Sequence, residues 1–445
     1  MKISKKYLTA FSGLIFILLT GIGLACAFED LDYSHSHFFN PEMSKSEFHF
    51  FYRDTYFPFY SKTDETYAAP ANDFTEINKK EWTDFFNNKI SNEDMGTLLY
   101  KTNTLEIDSL IFRLKNNQYP LSGKLAKYSI LKYDDKKTAI SFLFYLGYAK
   151  RCEVYAAFIP GERWDDKTSD FVENPDPRKD ISSINKLIEG GKDLLKNVKY
   201  QFVSDRYNFQ IIRLYYHSNQ FQPCLDFYQG IISKITQQSI KYRMMGYAAA
   251  AYYKLKNYSN ANYLYSRIFS EYAPMRKTVF SSFAPKEETD FLQSLSLAES
   301  NKDKCALWAM VGIKNDPLRA MKEIYKLEPK SPYLSLLLTR AVNIEEEKFL
   351  VVPEGIPDDN QYFVINNYIM NYNKENYNFK SSSVNNDLVQ FIKDVAAKNE
   401  INDPYLWQLS EAYLLSALGK YDEAVPFYAK AKLLCKGDIY LQTQV

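Results

Sequence analysis

The spacing of apolar positions changes character along the chain. From about Asn78 onward apolar residues fall three and four apart, the period of one helix face. Leu98 and Leu99, then Leu105, Leu110, Ile111 and Leu114, predict two short helices. The first is introduced by Ser91-Asn92-Glu93-Asp94 in the manner of a capping box. Lys136 to Phe158 is apolar almost all round, which predicts a long buried helix. Residues 159–180, with Pro160-Gly161 and Asn174-Pro175-Asp176-Pro177, predict a long loop or lid. Beyond it the pattern comes in pairs. Asn208 to His217 reads as one helix, Asn219-Gln220-Phe221 as a turn, and Cys224 to Tyr228 as the next helix. Gly246 to Leu255, Lys256-Asn257-Tyr258 and Ala261 to Tyr265 repeat the arrangement, and Leu418 to Ala431 repeats its second half.

Each pair places an aromatic residue at the turn (Phe221, Tyr258, Tyr421) and a small residue three later (Cys224, Ala261, Ala424). A tyrosine follows four after that (Tyr228, Tyr265, Tyr428). The small residue lets two helices approach closely, and the tyrosine fills the groove beside it. This spacing resembles the turn and second helix of a tetratricopeptide repeat, whose period is about 34 residues. The resemblance covers about half the chain, firmest at 404–436, and the usual tryptophan-leucine-glycine signature of the first helix is mostly absent. It implies an all-α fold, a TPR-like right-handed helical solenoid. In such solenoids the first helix of each pair lines a concave groove. Carried over position by position, this gives a partner-binding groove of Arg206, Phe209, Arg213, Tyr216 and His217 from one repeat, and Arg243, Tyr253 and Lys254 from the next. Such a basic, aromatic groove suits a peptide carboxylate or an acidic segment.

The N-terminus reads as an export signal: Lys2, Lys5 and Lys6, an apolar run from Leu8 to Ala25, then Leu24-Ala25-Cys26-Ala27. Leu24-Ala25-Cys26 resembles a lipobox, with lipidation at Cys26 and a membrane anchor; Ala25-Cys26-Ala27 also fits simple cleavage after Ala27. An uncleaved anchor is a third reading, since the apolar run is only just long enough to span a bilayer. Residues 27–75 carry many aromatics without helical period, among them Phe48-His49-Phe50-Phe51-Tyr52, and are expected to form an extended arm packed on the body. The expected organisation is a signal peptide at 1–26, the arm at 27–75, an N-terminal helical region at 76–200 and repeats at 201–445. Asp438 to Gln442 begins what looks like another first helix, so the chain is expected to be truncated at its C-terminus.

Composition narrows the function. Lys and Arg number 55 against 54 Asp and Glu, so there is no basic surplus for a nucleic-acid binder. The 37 tyrosines and 31 phenylalanines serve either as core fillers or as binding aromatics. Cys152, Cys224, Cys305 and Cys435 are scattered through helical patterns and read as small buried hydrophobes. His35, His37 and His49 could converge on a metal only with a supporting shell, and no metal or other cofactor is expected. Glu345-Glu346-Glu347 reads as a solvated helix face. No nucleophile elbow, phosphate loop or zinc-protease motif is present. The expectation is a non-catalytic scaffold or adaptor for a protein or peptide, exported to the periplasm or outer membrane of a Bacteroidota-like bacterium. The alternative is a glycan-binding lipoprotein similar to the outer-membrane starch-binding family, which stacks sugars on aromatic side chains.

Overall fold

The computed structural model describes residues 74–118, 125, 128–165, 170–349, 384–398 and 400–438. The expected signal segment with Cys26, nearly all of the aromatic arm, His35, His37 and His49, the loop at 350–383 and the residues after Asp438 lie outside them. The described residues form an all-α protein with seventeen α-helices and one small hairpin. They divide into two compact units, 74–311 and 312–438.

The first unit contains α1 (Thr75–Phe85), α2 (Asn92–Gly96), α3 (Thr104–Asn116), α4 (Lys136–Ala156), α5 (Ile181–Leu195), α6 (Gln201–His217), α7 (Phe221–Ile231), α8 (Gln238–Lys254), α9 (Tyr258–Glu271), α10 (Arg276–Ser282) and α11 (Glu288–Leu297). Helix α12 (Asn301–Lys314) runs through the boundary, and the second unit continues with α13 (Pro317–Leu327), α14 (Tyr333–Phe349), α15 (Asn386–Ala396), α16 (Pro404–Ala417) and α17 (Tyr421–Leu434). Among the described residues no helix is long and apolar enough to cross a membrane.

Local chemistry sets the boundaries. The Ser91 hydroxyl accepts from the Asp94 N–H at the start of α2, which passes into a π-helical turn at Thr97–Lys101. The full capping box sits one helix later, where Asn103 and Glu106 satisfy each other's backbone N–H groups. Asp135, Asp180, Asn257, Asp316 and Asn385 cap α4, α5, α9, α13 and α15 with their side chains. Within 159–180, expected to be a loop, Glu162–Asp165 (β1) pairs antiparallel with Asp170–Glu173 (β2), with the backbone of Trp164 opposite that of Phe171.

Three hairpins close with the same backbone geometry. Asn219, Lys256 and Gly419 are left-handed, at φ 59°, 62° and 76°. The residue after each donates its N–H five positions back, Gln220 to Tyr215 O (2.9 Å), Asn257 to Tyr252 O (2.9 Å) and Lys420 to Leu415 O (3.0 Å). This is a Schellman closure, which satisfies carbonyls that the helix end would leave orphaned. The small residues that follow are sealed: Cys224 and Ala261 are fully buried and Ala424 is 1% exposed. Tyr228 and Tyr265 are buried as well, while Tyr428 packs, partly buried, against Ala412, Leu415 and Ala424. Cys152, Cys224, Cys305 and Cys435 are buried and form no disulfide among the described residues.

Leu105, Leu110, Ile111 and Leu114 share one helix as expected, with Leu105 exposed at its first turn. One expectation about burial fails. Glu345 is buried, not solvated, because its carboxylate accepts the Asn385 N–H (2.9 Å) at the start of α15.

Close helix contact depends on glycine at Gly191, where an added Cβ would lie 2.2 Å from the buried Tyr148 hydroxyl. Tyr148 is fixed by donating to Leu187 O (3.1 Å) on the same helix, α5. The neighbouring Gly190 meets nothing within 4 Å. Gly191→Ala should therefore lower stability by about 1–3 kcal/mol through overpacking, and Gly190→Ala should raise it by about 1 kcal/mol through helix propensity. Urea midpoints of the two variants check the opposite signs.

Candidate functional site

In the first unit α4, α6 and α8 pack side by side in that order, and α1 lies across all three. The arrangement follows from one aromatic and ionic knot. Trp82 of α1 is fully buried and meets Phe142 (ring centroids 4.6 Å apart) and Tyr145 (5.3 Å) of α4 and Phe202 (4.9 Å) of α6. Beside it Glu81 forms an ion pair with Arg206 of α6 (2.7 Å). The Arg206 guanidinium lies over the Phe202 ring (3.7 Å to the centroid) and close to that of Trp82 (4.7 Å), and also donates to the Gln237 side chain. At the N-terminal end of α1, Phe74 covers Arg243 of α8 at 4.7 Å.

One turn of α6 past Arg206, the three floor helices and α1 leave a cleft of about 320 Å³. Arg213 and Arg243 flank the same buried ring, Phe209, at 5.6 and 4.1 Å from its centroid. The walls are apolar at Phe74, Leu99, Leu146 and Ile240, with Asn78 and Tyr100 joined by a 2.9 Å hydrogen bond. Lys150 and Glu153 line it too and neutralise each other at 3.0 Å. Gln210 donates to the Tyr145 hydroxyl at 3.3 Å and accepts from Arg213 at 2.9 Å.

The charges are unbalanced. Arg206 has Glu81. Arg213 donates to Gln210 Oε1 and to Ala156 O (3.2 Å), both neutral, and its Nε has no partner among the described residues. Arg243 is half-buried between two rings, and among the described residues neither it nor Arg213 has a carboxylate within ion-pair distance. Burial pushes the Arg206 pKa down to about 10 and lowers that of Arg243, yet guanidinium stays protonated at neutral pH. A half-buried cation without a counter-charge is costly, and ring stacking offsets that only in part. Among the described residues the cleft thus carries two guanidinium charges with no carboxylate paired to them.

Four of the expected groove residues meet here: Arg206, Phe209, Arg213 and Arg243. Arg206 is 1% exposed and acts as a strut, not as a contact for a partner. Tyr216 and His217 turn away into a ring cluster with Tyr247, and burial pushes the His217 pKa down to about 4, so it is neutral at pH 7. Tyr253 donates to Ala284 O (3.2 Å), and Lys254 is exposed at the end of α8. Sequence reasoning missed the α1 contribution of Phe74, Asn78, Glu81 and Trp82. The only local signal was the density of aromatics in Glu81-Trp82-Thr83-Asp84-Phe85-Phe86.

A larger groove in the second unit, about 550 Å³, lies over Tyr325 and Phe391. Its cations are interleaved with Asp316, Glu323 and Asp394, and Lys326 pairs with Glu323 at 2.6 Å, so it lacks the surplus charge of the first cleft. Among the described residues no three His, Cys, Asp or Glu side chains are grouped to hold a metal. Comparison with protein-family models, with curated proteins and with solved structures finds no match to this chain.

The two kinds of arginine respond differently to mutation. Glu81→Ala leaves Arg206 buried and uncompensated and should cost about 3 kcal/mol. Arg213→Ala removes a cation whose partners are neutral and should cost less than about 1 kcal/mol. Urea unfolding of both variants checks this, and equal losses would contradict the assignment.

Proposed function

We propose that the chain is a non-catalytic adaptor, built as a TPR-like helical solenoid, that holds another protein through the cleft between α1 and the α4–α6–α8 floor. The three identically closed hairpins, each with its sealed small residue, support the solenoid reading. The observation that carries the binding reading is the Arg213–Arg243 pair around Phe209, two cations that face a cleft without a carboxylate of their own among the described residues. An acidic segment or a chain-terminal carboxylate supplies the missing charge through charge-assisted hydrogen bonds. The N-terminal charge and apolar pattern ending at Cys26 supports export to the periplasm or outer membrane and a lipid anchor at Cys26.

Affinity capture from detergent-solubilised membranes of the source cells tests this reading. The Arg213→Ala/Arg243→Ala variant should lose its co-purifying protein by at least about tenfold, the scale of one charge-assisted hydrogen bond or more. Lys254→Ala, which lies outside the cleft, should keep it. Capture that is unchanged in the double variant would overturn the proposal.

A further inference from the structure

The cleft has a shape that an open solenoid groove lacks. Helix α1 lies across α4, α6 and α8 through Trp82, Glu81 and Phe74, each anchored on a different part of the floor. What remains is a pocket near the lower end of the range for small-ligand sites, about 300–1,000 Å³. An α-helix is about 10 Å across with its side chains and does not enter such a space. The pocket chemistry is two-sided. Arg213 and Arg243 stand at Phe209, and Leu99, Leu146 and Ile240 supply apolar wall.

Resting on the reading of this cleft as the binding site, we propose that it is a subsite for one carboxylate carried on a compact apolar body. The carboxylate lies between the Arg213 and Arg243 guanidinium groups, and the body lies against Phe74, Leu99 and Ile240. A free organic acid and the last residue of a partner chain both present this chemistry. Arg206 takes no part in contact, because its charge is already matched by Glu81.

Calorimetric titration of the purified full chain distinguishes the sources. The probes are 3-phenylpropionate, its amide, and a short peptide ending in phenylalanine as the free acid and as the amide. Both acids should bind, and each amide should bind at least about tenfold more weakly, since it lacks the charge that strengthens hydrogen bonds to arginine. Tighter binding of the peptide acid assigns the subsite to a chain end; equal or tighter binding of 3-phenylpropionate assigns it to a free acid. Affinity for either acid should fall about tenfold or more in Arg243→Gln. The acid-to-amide ratio on the unmutated protein gives the same answer without relying on that variant. Equal binding of acid and amide, or no binding of either acid at about 10 mM, would overturn the proposal. Arginine-dependent capture of a protein alongside a failed titration would leave the adaptor reading and remove this subsite. A positive titration with capture indifferent to the arginines would do the reverse.

Discussion

The buried guanidinium of Arg206 decides the geometry of the first unit. A cation at 1% exposure is tolerated only when its charge is matched, and here the partners come from three places in the chain, while its Nε meets no acceptor among the described residues. Glu81 of α1 supplies the charge, Gln237 ahead of α8 accepts a hydrogen bond, and the Phe202 and Trp82 rings both lie against the guanidinium. Asp205, the preceding residue, is fully buried as well. Its carboxylate accepts from Gln201, from Thr236 N and Oγ1 (both 2.9 Å) and from Gln237 N (3.2 Å). Two adjacent charged residues of α6 thus pin the α7–α8 connection on one side and α1 on the other.

That pinning creates the cleft. Without α1 the floor of α4, α6 and α8 would be an open trough with Trp82's neighbours exposed. With α1 in place, the part of the floor beyond Arg206 becomes a walled pocket, and among the described residues Arg213 and Arg243 face it without a carboxylate such as Arg206 has. The cation–π contacts of Arg243 with Phe74 and Phe209 keep its guanidinium in position and leave its hydrogen-bond donors unused among the described residues. A site that holds its cations in place before a ligand arrives loses less side-chain entropy on binding.

What the sequence disclosed depends on distance along the chain. Cys224, Ala261 and Ala424 could be read as sealed notches because their spacing from Phe221, Tyr258 and Tyr421 is local, and helix geometry converts local spacing into a face. Of the three left-handed turn residues only Gly419 announces itself; Asn219 is permissive, and Lys256 carries no signal at all. Arg213, Arg243 and Phe209 emerged from the repeat register, whereas the role of Arg206 did not, since Glu81 lies 125 residues away. Glu345 misled for the same reason: a charge run looks solvated until the Asn385 N–H reaches it from another helix. The hairpin at Glu162–Glu173 was hidden behind loop-forming prolines and glycine on both sides.

Helix α1 is an integral wall of the first unit, and the pocket depends on it. Native-state amide hydrogen exchange measures that directly, because protection reports the free energy of opening each segment. If the Arg206 knot holds α1 in place, the amides of Trp82 to Phe86 exchange within about tenfold of those of Ile211 and Ile212 in α6. Exchange at α1 several orders of magnitude faster than at α6 would mean that the wall opens on its own, and the pocket would then have no standing shape to recognise a ligand.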